Sequence, residues 1–263
     1  MAKSKKRWVD QGALRRRLAT FFKSNKRSLN TFGGTVNQTF EAFVFASAIT
    51  WYRTRGWTVT FYNPGKKTKR NPGGEVHLKY STNGRPSNYT FAECRKDRKV
   101  LEVRHQLRVS TNWYDGVSTP SASLMLDVAV IEKLDLSEFD SKTPVRNGHL
   151  ITFAEAKHMS AFAELIAGFE GLVHELQPMR LTRLRAGAVS PDVENPAPFL
   201  YVSGTLNPSA EAILSTIRTR GYDIDVFNET DALNEAFQLP TIDPPATRRL
   251  LPRRAIDLAD VPY

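Results

Sequence analysis

Three charged residues stand where a buried strand would normally be apolar. Asp127 interrupts the run LMLDVAVI at 124–131, and Glu155 and Lys157 close the run ITFAEAK at 151–157. Glu155 and Lys157 are two apart, so on a strand they share a face. A buried carboxylate is costly unless it is paired or holds a metal. Two converging carboxylates repel and raise one another's pKa. A divalent cation relieves that repulsion, and hard oxygen ligands with room for water suit Mg²⁺. A lysine beside such a cation can orient a water and offset negative charge building on a phosphate. Glu41, early in a helix, offers a further carboxylate. Each feature alone is commonplace, since structural ion pairs put charges in the same places. Their conjunction in two successive apolar strands carries more.

The elements that must position these groups follow from hydrophobic periodicity. Leu14, Leu18, Phe21 and Phe22 predict a basic amphipathic helix over about 10–24, which would dock on the body or lie on phosphates or a partner. Asn37 is the expected N-cap of a helix over 38–55, with the stripe Phe40, Phe43, Val44, Ala48 and Trp51. Glu41 is placed in its first turn, where the helix dipole favours a carboxylate. Gly56 ends it, and 57–62 alternates as a strand. Residues 63–98 read as a basic hairpin insertion turning at Asn83-Gly84. Residues 100–110 form a strand with Leu101, Val103, His105, Leu107 and Val109 on one face. Glu102, Arg104, Gln106 and Arg108 take the other. Strands over 124–131 and 149–157 follow, then a helix over 161–177, a strand at 199–203, a helix from Asn207-Pro208 to Gly221, and a strand at 222–227. DALNEAF at 231–237 is a further helical piece. The expected class is α/β, a mixed central sheet flanked by helices, with parallel crossovers in the second half. There are no internal repeats.

Composition narrows the classes. The 263 residues carry 41% hydrophobic and 24% charged residues, an ordinary globular balance. No apolar run is long enough for a bilayer-spanning helix, so no membrane partner is expected. One cysteine, Cys94, excludes an internal disulfide and a cysteine-rich zinc site. It also fits a reducing, intracellular (cytoplasmic) setting. The net charge of +10 is unevenly spread. Residues 1–108 hold 24 Lys/Arg against six Asp/Glu, and residues 109–263 hold 13 against 21. A polyanion bound from the N-terminal side is the natural partner. The basic residues placed to meet it are Arg15, Arg16 and Arg17, then Lys66, Lys67, Lys69 and Arg70, then Arg95, Lys96, Arg104 and Arg108. Trp113 and Tyr114 are candidates for base stacking, and Arg180, Arg183 and Arg185 for phosphate contact. His105, His158 and His174 read as structural, and no histidine pair has zinc-ligand spacing. No Gly-x-Ser-x-Gly or phosphate-loop pattern is present.

With these residues in this order, the sequence resembles the PD-(D/E)xK nuclease superfamily, whose restriction-endonuclease-like core runs αβββαβ. The resemblance covers roughly residues 38–227, with the basic hairpin as an insertion. It implies Asp127 for the family's aspartate, Glu155 for its second acid and Lys157 for its lysine. Glu41 matches the extra first-helix acid of many members. Leu126 stands where the motif's proline would be, a departure many members share. The implied organisation is a basic arm at 1–37, a nuclease-like domain at 38–239 and a Pro/Arg-rich arm at 240–263. The implied chemistry is Mg²⁺- or Mn²⁺-dependent hydrolysis of DNA, leaving a 5′-phosphate and a 3′-hydroxyl. Asp127, Glu155 and the Ala156 carbonyl would hold the metal, and Lys157 would orient the attacking water. Two other readings stay open: a non-catalytic nucleic-acid-binding or assembly subunit on the same fold, and an RNA-directed nuclease. A homodimer or a subunit of a larger DNA-processing complex fits the single-domain size.

Overall fold

The computed structural model describes residues 11–24, 28–29, 35–62, 75–81, 83–112, 122–182 and 195–228. Lys66, Lys67, Lys69, Arg70, Trp113, Tyr114, Arg183, Arg185, the 231–237 segment and the C-terminal arm lie outside these.

Helix α1 (Gln11–Ser24) buries Leu14, Leu18, Phe21 and Phe22, the predicted stripe, against helix α2 (Val36–Arg53). It therefore docks on the body through its apolar face. α2 is apolar nearly all round because it is central: Ala42, Phe45, Ala46, Ile49 and Tyr52 are buried along with the predicted stripe residues Phe40, Phe43, Val44 and Ala48. Its N-cap is Thr35, whose hydroxyl accepts from the Gln38 N–H at 3.3 Å. The expected cap, Asn37, already lies inside the helix, so Glu41 falls past the first turn and beyond the strongest dipole field. Gly56, at φ +80°, supplies the left-handed residue that closes the turn after α2.

A small parallel pair joins β1 (Ser28–Leu29) to β3 (Glu75–Val76). The main sheet has seven strands. These are β2 (Thr58–Tyr62), β4 (Phe91–Lys96), β5 (Lys99–Ser110), β6 (Ser123–Glu132), β7 (Leu150–Lys157), β8 (Phe199–Val202) and β9 (Asp225–Phe227), hydrogen-bonded in that order. The first five pair antiparallel; β7, β8 and β9 run parallel. The crossovers carry α3 (Ala163–Leu176) and α4 (Pro208–Arg220), as the helix–strand alternation predicts. The expected hairpin insertion is corrected. Asn83-Gly84 leads into a 3-10 turn at Pro86–Asn88, and the true hairpin turns at Asp97-Arg98 between β4 and β5. Residues 91–96 are thus an interior strand of the main sheet. Asp97 takes φ +53°, the left-handed conformation a two-residue hairpin requires.

Two apolar cores lie on opposite faces of the sheet. One joins α1 and α2 to Leu101, Val103, Val128, Val130, Ala154 and Ala156. The other joins α3 and α4 to Leu107, Val109, Leu126, Ala129 and Ile131. Val103 and Leu107 would share a face if β5 alternated regularly, yet they belong to different cores. Gln106 sits between them at φ +49°. Cross-strand pairing runs from Leu101↔Glu132 to His105↔Val128, skips the Gln106–Asp127 rung, and resumes at Leu107↔Leu126. The single-face grouping of Glu102, Arg104, Gln106 and Arg108 is therefore corrected. Gln106 and Arg108 face α2; Glu102 and Arg104 face away from it.

Candidate active site

Asp127 lies where the ladder breaks on both sides. Its pairing with β5 is skipped, and the β6–β7 ladder reaches only to Val128↔Ala154. Side chains take over the backbone groups beyond that point. The Ala156 N–H donates to Asp127 Oδ2 at 2.9 Å, and the Asp127 N–H donates to Glu155 Oε1 at 3.4 Å. Lys157 Nζ donates to Glu155 Oε2 at 2.9 Å and to Asp127 Oδ2 at 3.3 Å. The three residues singled out in sequence thus meet at one splayed strand end, and Glu155 and Lys157 share a face as their spacing requires. Both carboxylates are largely buried, whereas the Lys157 side chain is 38% exposed.

Glu41 approaches from α2. Its Oε2 accepts from Gln106 Nε2 at 2.8 Å and lies 3.6 Å from His105 Nε2. Burial, then the nearby Asp127 charge, pushes Glu41 up to about 7 from an ordinary 4.5. Glu155 is raised by the same two causes in the same order, against the pull of Lys157. For Lys157 burial acts downward, but Glu155 and Asp127 together outweigh it and hold the ammonium above the usual lysine range. His105 is buried among Phe45 and Tyr80, and its burial takes the imidazole down to about 4. It is neutral at pH 7, a structural ring as expected, yet part of the wall around Glu41. Sequence reasoning missed Gln106 as a neighbour of Glu41, because nothing in an alternating strand announces a positive φ.

The donors at this strand end are hard oxygens, carboxylates with a backbone carbonyl beside them, and such a set suits a cation of the Mg²⁺ type. Among the described residues, no group of three or more His, Cys, Asp or Glu is gathered closely enough to hold a metal ion by itself. The fit therefore rests on two carboxylates, the Ala156 carbonyl and water, with Glu41 near enough to feel Asp127 and held by Gln106.

The basic residues separate into different roles. Arg16 is exposed on α1, while Arg15 and Arg17 are half-buried. Arg95 is exposed and paired with Glu93, and Lys96 donates to the Arg55 carbonyl at 3.2 Å. Arg104 is corrected as a nucleic-acid contact. It is buried, pairs with Glu102 at 2.7 Å and lies over the Phe91 ring, so its charge is spent inside the fold. Arg180 pairs with Asp223 and is not a free phosphate contact. His158 is held by Ser203 at 2.7 Å, and His174 lies at the surface beside Glu175. Arg108 remains on the α2 side of the sheet, its Nη1 donating to Ser123 Oγ at 3.2 Å.

No protein-family model matches the chain, and neither a curated protein nor a solved structure matches it. Among the described residues no helix is long and apolar enough to cross a membrane.

Proposed function

We propose that this chain is a metal-dependent DNA endonuclease of the PD-(D/E)xK class. The observation that carries the reading is the meeting of Asp127, Glu155 and Lys157 at the splayed β6–β7 end. With β2 and β4 set aside as additional strands at the β5 side of the sheet, the order α2, β5, β6, β7, α3, β8 follows the αβββαβ order of the restriction-endonuclease-like core. Asp127 and Glu155 would hold Mg²⁺ or Mn²⁺. Ala156 would add its carbonyl, which leaves an extended strand on the same side as its N–H and so faces Asp127. A cation held there supplies Lewis acidity to the scissile phosphate and its attacking water. Lys157 neutralises the carboxylate pair in the present arrangement. Its partly exposed ammonium can swing toward solvent, where it orients the water and meets negative charge on the phosphate. Glu41 holds its proton or shares the cation's field from behind.

The test is nicking of plasmid DNA with Mg²⁺ or Mn²⁺. Asp127→Ala and Lys157→Ala should each lower the rate by roughly a hundredfold or more while the variants stay folded. Wild-type cutting by Asp127→Ala would overturn the assignment. One observation favours a second reading: Lys157 already satisfies both carboxylates, as in a fold kept for binding alone. DNA binding with no cleavage under either metal would select that reading.

A further inference from the structure

A cleft of about 640 Å³ opens on the sheet face away from α2, a volume typical of small-ligand sites. Phe61, Ala92, Cys94, Leu101 and Val103 turn into the α1–α2 core. Alternation sends their neighbours Tyr62, Phe91, Glu93, Glu102 and Arg104 to the other face, where all five line the cleft. Among the described residues the core under α3 and α4 holds no residue of β2 or β4, so those helices leave this corner of the sheet uncovered. The chain after β6, residues 133–137, borders the cleft instead. None of the lining residues belongs to the Asp127–Glu155–Lys157 cluster.

Cross-strand register sets the side chains in two rows. Tyr62 pairs with Phe91, and Phe91 with Arg104. The two rings stack with centroids 5.3 Å apart, and the Arg104 guanidinium lies 4.0 Å from the Phe91 centroid. Tyr62 is still 42% exposed. Glu93 pairs with Glu102 in the next row. Arg104 Nε and Nη2 both donate to Glu102 Oε2, at 2.8 and 2.7 Å. Glu102 Oε1 has no hydrogen-bond partner among the described residues, although the residue is only 2% exposed. A buried acceptor left open in this way gains by meeting a donor. Glu93 is shared between Arg95 and Lys133, each at 2.8 Å, and those two side chains are 54% and 52% exposed. The charges around the cleft cancel: Glu93, Glu102 and Asp135 stand against Arg95, Arg104 and Lys133. The interior therefore suits a neutral group that carries N–H donors and apolar faces, and the two exposed cations suit an anion attached to it.

We propose that this cleft binds a nucleotide, with an amino-bearing nucleobase against Tyr62 and Phe91, its N–H donating to Glu102 Oε1, and its phosphate toward Lys133 and Arg95. Arg104 acts as a positioning residue, since it occupies Oε2 and leaves Oε1 to the ligand. Binding here requires no metal and none of the residues assigned to catalysis. A free mononucleotide and an unpaired base of a single strand offer the same chemistry; a base inside a duplex does not, because its faces are covered.

AMP is titrated into the full chain in EDTA by calorimetry, beside ribose 5-phosphate, adenosine, agmatine and a hexameric oligodeoxyadenylate. AMP should bind at least roughly tenfold tighter than ribose 5-phosphate, which lacks the base. Tyr62→Ala should weaken AMP by roughly tenfold, and Tyr62→Phe should keep it. In Glu102→Gln the amide oxygen goes to Arg104 and an NH₂ donor is left facing the base, so a loss of roughly tenfold is expected. Lys133→Met should weaken AMP but leave adenosine unchanged. Should Glu102→Gln not fold, Tyr62→Ala and Lys133→Met, both at exposed side chains, carry the test. Oligodeoxyadenylate binding that falls with Tyr62→Ala, where AMP itself does not bind, assigns the cleft to an unpaired base of a strand; AMP binding equal to or tighter than the oligomer assigns it to a free nucleotide. Equal affinity for AMP and ribose 5-phosphate would overturn the proposal, as would AMP binding untouched by Tyr62→Ala and Lys133→Met, or no binding of either AMP or the oligomer. Agmatine binding tighter than AMP would overturn it too, making the cleft a receptor for basic side chains.

Discussion

Replacing Glu41 with glutamine should stabilise the protein above neutral pH while impairing any chemistry at the site. Glu41 is mostly buried, and its carboxyl sits at about 7 in the fold against 4.5 ordinarily. A carboxyl raised in the folded state is favourable to folding only while protonated. Its contribution is complete below pH 4.5 and is lost as pH rises through 7. At 1.36 kcal/mol per pH unit, the gap between the two values is worth roughly 3 kcal/mol at pH 8 and about 1 kcal/mol at pH 5. The amide keeps an oxygen for Gln106 Nε2 to donate to, so the 2.8 Å bond has a successor. Glu41→Gln should therefore exceed wild type by up to about 3 kcal/mol at pH 8, by much less at pH 5, and show a flatter stability–pH profile. Glu155, raised by burial and Asp127, leaves a residual slope of the same sign in both proteins. Urea unfolding at the two pH values reads the difference directly. A variant no more stable than wild type at pH 8, or one with the wild-type slope, would refute the idea that Glu41 carries a buried, uncompensated charge. If the nuclease reading holds, the stabilised variant is also the slower one, the usual exchange at a functional site.

Other substitutions probe the framework around the site. Arg104→Met leaves Glu102 buried without its cation and should cost roughly 3–5 kcal/mol in chemical denaturation; an unchanged midpoint would restore Arg104 as an available surface charge. Gly204→Ala places a methyl 2.8 Å from the Ser160 backbone, where Gly204 N–H reaches the Met159 carbonyl just beyond Lys157. A loss of about 1–3 kcal/mol in thermal unfolding is expected, and no loss would mean that the segment yields freely. Leu18→Ala, in the docked face of α1, should cost about 2–5 kcal/mol if α1 belongs to the core; a cost near zero would make it a loosely held arm.

Much of this molecule is legible from its sequence because burial imposes simple periods. The 3.6-residue stripes locate α1, α2 and α3, the start at Asn207-Pro208 and the stop at Gly221 locate α4, and the alternation or apolar runs locate β2, β5, β6, β7 and β8. The helix–strand succession foretells the parallel half of the sheet. Asp127, Glu155 and Lys157 also stand out, since a charge inside an apolar strand is conspicuous before any coordinates exist. Their contact follows from β6 and β7 being neighbours. Other features depend on which chain segments meet. β4 reads as insertion because its residues are basic and polar, yet it pairs on both sides. Arg104 resembles a surface cation until Glu102 and Phe91 enclose it. The N-cap moved from Asn37 to Thr35 because both can accept a backbone N–H and only the entry direction of the chain chooses between them.

The sequence by itself determined the four helices, most strands of the main sheet, the charge asymmetry and the three residues of the catalytic proposal, because each is a property of local pattern. The tertiary structure alone decided which side of the sheet β5 offers to α2. Alternation along 101–109 is unbroken in the sequence, and a positive φ at Gln106 is sustained only by the packing around it. That one dihedral brings Gln106 onto Glu41 and sets Arg108 on the same side of the sheet. It also separates Val103 from Leu107 into different cores, which no period of two can foretell.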